Sequence, residues 1–148
     1  MKNILKVIVL IFMVITLSAC SSSKEITKET LEERLSSLNF VTRDATKEIN
    51  DSSISKAIVA DNNKIQIEFY IFKSKDSASK AYESNKESFA ADKDYKVKES
   101  KHRNYTKSVQ KTKNFYNVVI KSDDMVIYSS VNINYKKDVK KALRKMGY

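Results

Sequence analysis

The chain has 148 residues, no proline and a single glycine, Gly147, and its 28 Lys+Arg outnumber its 18 Asp+Glu for a net charge of +10. Phosphate-cradling loops, nucleophile elbows and dinucleotide fingerprints all need glycine where the backbone bends sharply or is closely approached, so none can be built here. One cysteine and one histidine exclude an internal disulfide and cannot furnish the usual nitrogen and sulfur ligand set of a metal centre.

The first segment, "MKNILK", is short and positive through Lys2 and Lys6, and Val7–Leu17 is apolar except for Thr16. As a helix that run would span roughly 16 Å, about half of a ~30 Å hydrocarbon core. It is short for a membrane span and matches the apolar region of a secretory signal. Then comes Leu17-Ser18-Ala19-Cys20, which holds the only cysteine of the chain.

This tetrapeptide resembles the lipobox of bacterial lipoproteins. The resemblance implies that the Cys20 thiol receives a diacylglyceryl group and that a signal peptidase cuts between Ala19 and Cys20. Residues 1–19 are then a cleaved signal peptide, residues 20–29 a lipidated tether, and residues 30–148 one domain. Two palmitate-type acyl chains hold such a protein far more firmly than one, since each buried CH₂ contributes about 0.8 kcal/mol. The implied location is the extracytoplasmic face of the cell membrane. The Lys-, Asn- and Ile-rich composition, without Pro or Trp, is similar to that of a low-GC Gram-positive bacterium.

Beyond the tether, Leu31, Leu35 and Leu38 recur at helical spacing, with Thr30 and Glu33 as a candidate capping box. The stretch from Val41 to Ser53 reads as an irregular connection. Ile65, Ile67, Phe69 and Ile71 alternate with Gln66, Glu68, Tyr70 and Phe72, the period of a strand. Asp61-Asn62-Asn63 predicts the turn that pairs this strand with Ile54–Ala60. A helix follows from a cap at Asp76 or Ser77, with Ala78, Ala81, Tyr82, Asn85 and Phe89 on one face. Tyr95–Glu99, Tyr105–Lys111, Phe115–Lys121 and Met125–Asn132 read as strands. A last helix carries Val139, Ala142, Leu143 and Met146 on one stripe and ends at Gly147.

Runs of adjacent strands predict an α+β fold with an antiparallel sheet of five to six strands and helices mainly on one face. The order resembles a ferredoxin-like variant, with a cystatin-like or NTF2-like curved sheet as the alternative. Tyr70, Phe72, Tyr116 and Tyr128 are expected to share a sheet face with Val118 and Ile120. Left uncovered, that face would suit a peptide, sugar or partner protein.

No catalytic residues, metal ligands or cofactors are expected. His102 sits among Lys101 and Arg103, which gives it no orienting carboxylate of the kind a general base needs. Asp123-Asp124 lacks calcium-loop spacing and fits a hairpin turn. The run from Lys93 to Lys113 is basic; Lys96, Lys98, Lys101, Arg103 and Lys107 are candidate contacts to anionic lipid headgroups or an anionic wall polymer. On this reading the lysines of the last helix contribute less. An extracytoplasmic anchor makes nucleic acid an implausible partner.

The expected protein is thus a non-enzymatic binding module, anchored through Cys20 and able to contact an envelope protein. Its relatives in kind are small uncharacterised Gram-positive lipoproteins with one α+β domain. An immunity or superinfection-exclusion lipoprotein is the alternative, and a small hydrolase a more distant one.

Overall fold

The computed structural model describes residues 27–148. They contain three α-helices, α1 (Lys28–Leu35), α2 (Lys75–Ala90) and α3 (Lys136–Met146). The seven strands are β1 (Val41–Asp44), β2 (Ile54–Asp61), β3 (Gln66–Phe72), β4 (Val97–Lys101), β5 (Thr106–Lys111), β6 (Phe115–Ser122) and β7 (Met125–Asn132). All seven form one sheet in the order β1-β2-β3-β7-β6-β5-β4. Every neighbouring pair is antiparallel. Two meanders, β1–β3 and β4–β7, are linked through α2 and joined where β3 pairs with β7. The fold class is α+β with an antiparallel sheet, as expected, but with seven strands.

The strand beyond the expected five or six is β1. Thr42 is its only buried residue, so no apolar alternation marks the segment. It becomes a strand by pairing with β2, from Val41↔Asp61 to Asp44↔Ile58.

Helix starts also differ in detail from the sequence reading. Thr27, not Thr30, caps α1: its hydroxyl accepts from the Thr30 N–H at 3.2 Å, and the Thr30 hydroxyl accepts from the Thr27 N–H at 2.9 Å. The reciprocal box is therefore built from two threonines. Ser74 caps α2 by accepting from the Ser77 N–H at 3.1 Å. At the other end of the chain Gly147, at φ 95°, takes the left-handed conformation that closes α3, and Tyr148 N–H reaches the Leu143 carbonyl at 2.9 Å. Asn63 (φ 65°) and Asp123 (φ 59°) supply the left-handed residues of the β2–β3 and β6–β7 turns.

The sheet is the middle layer of three. On one face α1 and α3 pack together: Leu31, Leu35, Val139 and Leu143 meet Ile58, Ile67, Phe69, Ile120 and Ile127 in the main core. On the other face α2 sets Ala78, Tyr82 and Phe89 against Phe72, Val119 and Val126. A smaller cluster of Ala45, Ala57 and Val59 closes the β2 side of that face. Among the described residues, every α-helix and every strand except β4, whose Val97 is half-buried against the α2 cluster, contributes buried residues.

This layering divides the tyrosines. Tyr116 lies with Val118 and Ile120 in the core under α1 and α3, whereas Tyr70, Phe72 and Tyr128 lie under or beside α2. They do not share a face, because Tyr128 stands opposite Val119 in the β6–β7 register while Tyr116 has the parity of Val118. Among the described residues, every buried side-chain nitrogen or oxygen has a hydrogen-bond partner.

Candidate functional site

Ala19 and Cys20 lie outside the described residues. The basic run lies within them, and strand alternation splits it. Lys98 stands opposite Val109, and Lys107 opposite Ile120, so both project to the α1/α3 side. Lys101 has the opposite parity and, like Glu99, belongs to the α2 side. Arg103 lies in the β4–β5 connection and is exposed, as are Lys96 and Lys98. The sequence run is therefore not one surface.

On the α2 side, Tyr82 ties the helix to the outer strands. Its hydroxyl is 2.7 Å from the buried Ser108 hydroxyl and donates to Glu99 at 3.2 Å. Lys86 bridges Glu99 at 3.1 Å and Glu83 at 2.5 Å. The hydrogen bond from Lys86 holds the Glu99 carboxyl below its ordinary range, with Tyr82 helping. The bonds to Glu83 and then Glu99 push the Lys86 ammonium up. This is a structural clasp: each group is satisfied by another protein group.

Further along the same face Glu68 accepts from Tyr70 at 2.5 Å and from Gln66 at 2.7 Å. Burial, then the bond to Glu68, raises the Tyr70 phenol well above its ordinary value, which opposes use of that phenol as a base near neutrality. A chain of amides continues across the sheet, with Ser130 donating to Asn117 at 2.7 Å and Asn117 to Gln110 at 2.8 Å.

His102 is exposed and stacks on Tyr105 with ring centres 4.3 Å apart; Tyr105 in turn meets Tyr148 edge-on at 5.2 Å. Glu99, the nearest acid in sequence, is engaged by the clasp on the α2 side. Asp123 sits in the β6–β7 turn and pairs with Lys75 at 2.5 Å, while Asp124 provides a carbonyl to the Phe72 N–H. Among the described residues no three His, Cys, Asp or Glu side chains gather as a metal cage would require.

Two surface hollows flank the β2–β3 turn. One, of about 270 Å³, lies among Leu38, Phe40, Asn62, Asp138 and Lys141. The other, of about 330 Å³, lies among Ile65, Gln66, Ser130 and Tyr135. Neither contains Glu68 or His102.

What the sequence reading missed is the relation of the run to α3. Lys107 is half-buried; burial first, then the charge of Lys140, lowers the pKa of its ammonium. Lys136 places its Nζ 5.8 Å from the centre of the Tyr116 ring. The signal was available in part: Lys107 and Lys111 alternate on one strand face, and Lys136 and Lys140 repeat at i, i+4. That these two rows meet is a tertiary fact.

No family model matches the chain, and neither the curated proteins nor the solved structures provide a match.

Proposed function

We propose that the chain is an extracytoplasmic lipoprotein that acts as a non-catalytic binding module. The observation that carries the reading is the single cysteine of the sequence, placed at Cys20 directly after a basic, apolar and small-residue leader. The folded domain is compatible with that role. Its first helix cap is Thr27, so at ~3.3–3.6 Å per residue the connecting chain reaches at most about 25 Å from Cys20. A domain so tethered works close to the membrane surface. Among the described residues no helix is long and apolar enough to cross a membrane, so on this proposal the attachment is through the lipid.

Intact mass of the purified protein tests the anchor. The expected species begins at Cys20 and carries a diacylglyceryl group, and Cys20→Ala abolishes incorporation of labelled palmitate. A mature chain with unmodified Cys20, or one that retains residues 1–19, overturns the proposal.

A further inference from the structure

Strand register and helix phase bring five lysines to one step in the surface. In β5, Lys107 and Lys111 stand opposite Ile120 and Tyr116, both in the core beneath α1 and α3. Lys98 of β4 joins them on that side, opposite Val109. In α3 the stripe Val139, Ala142, Leu143 and Met146 is buried. At about 100° per residue, Lys136 and Lys140 leave the helix from one flank of that stripe. This flank faces β6 and the strand beyond it: Lys136 lies over Tyr116 of β6, which is paired with Lys111 of β5. The helix is thus a wall beside a floor formed by the outer strands.

No carboxylate of these three elements enters the step. Glu99, on β4, has the opposite parity and is held by Lys86 and Tyr82. Asp138 leaves α3 from its other flank, beside Leu38 and Asn62. Among the described residues none of the five lysines forms an ion pair. A half-buried ammonium with a like charge nearby and no acid opposes folding. A bound anion removes that cost.

We propose that this step binds an extended, phosphate-rich polyanion, with Lys107 and Lys140 forming one cationic pair and Lys111 and Lys136 a second. The two pairs are separated by about 6 Å along the helix and about 13 Å along the strand, so an anion that engages both must be extended. The angle between wall and floor favours such a polymer over a bilayer. A flat surface meets the crest of α3 first and does not reach half-buried Lys107, whereas a chain can lie along the step. The inference rests on the binding-module reading and supplies its ligand class.

The test uses the chain from residue 20 with Cys20→Ser, which retains every described residue, 27–148. Its binding to short inorganic polyphosphate, to orthophosphate and to phosphatidylglycerol vesicles is measured by calorimetry at low and physiological salt. Polyphosphate is expected to bind much more tightly than orthophosphate, with affinity falling as salt rises. Lys107→Gln with Lys140→Gln should weaken it at least tenfold, and Lys98→Gln with Lys111→Gln gives an independent pair from the floor. Lys141→Gln with Lys145→Gln, which removes equal charge from the other flank of α3, should change it less than threefold. Thermal melts verify that each variant is folded.

Equal losses in the flank control reduce the effect to bulk charge and overturn the site. Binding to vesicles but not to polyphosphate overturns it in favour of a membrane-facing surface. Failure of the parent chain to bind polyphosphate at low salt also overturns it, while the lipid anchor stands or falls separately by mass.

Discussion

Phe69→Ala is the perturbation that most directly probes the sheet register. Phe69 is fully buried. In the β2–β3–β7–β6 ladder its row is Ile58, Phe69, Ile127 and Ile120, which faces the α1/α3 layer. No helix can collapse onto the vacated ring without dragging its neighbours, so both transfer and cavity terms apply. Together they cost about 3–5 kcal/mol, against a total stability of ~5–15 kcal/mol for a domain. For a domain of this size each kcal/mol moves the melting temperature by about 3–5 °C, so a fall of roughly 10–20 °C is expected. Glu68, its neighbour, points to the opposite face and loses only its bonds to Tyr70 and Gln66 when truncated. On that half-exposed surface the loss is about 0.5–1.5 kcal/mol. Calorimetric melts of the two variants in the Cys20→Ser chain decide the matter. Comparable falls in melting temperature would refute the assignment of Phe69 to the core row, since one residue of slip exchanges the two faces.

Lys107→Met should stabilise the domain at neutral pH, because it removes a half-buried cation that has Lys140 nearby and no acid partner. The folded-state pKa of Lys107 is depressed, so the unfolded chain binds the proton more tightly and the parent gains stability as pH rises. The advantage of the methionine variant should therefore be full at pH 7 and shrink as pH climbs towards the ordinary lysine value of about 10.4; a gap that widens with pH contradicts the burial argument. Glu99 titrates in the opposite sense. Its folded pKa lies below the ordinary value through Lys86 and Tyr82, so its contribution is present above that value and lost as pH falls through the folded one. Parent and Glu99→Gln melts should differ at pH 6 and converge at acid pH, and a difference that persists at pH 2 would assign the effect to packing instead. The anchor at Cys20 and the polyanion step complete the set, read by intact mass and by calorimetry as described above.

Local chemistry was legible in the amino-acid sequence wherever it depended on neighbours a few residues apart. Alternation of Ile65, Ile67 and Phe69 marked β3, the 3.6-residue stripe from Val139 to Met146 marked α3, and Asn63, Asp123 and Gly147 fell at three of the four left-handed positions, Asn39 being the fourth. The basic and apolar run before Cys20 is likewise a linear pattern, and the proposed lipid anchor rests on it alone. What only the tertiary structure decided is which face meets which. β1 has no apolar period, so only pairing with β2 makes it a strand. Tyr116 and Tyr128 both lie on strands, but the cross-strand register sends them to opposite layers. The basic run divides for the same reason, and burial together with the charge of Lys140, on a helix distant in sequence, lowers the pKa of Lys107. Periodicity states that an element has two faces; the packing of non-local elements, which buries one and leaves the other in water, is what assigns them.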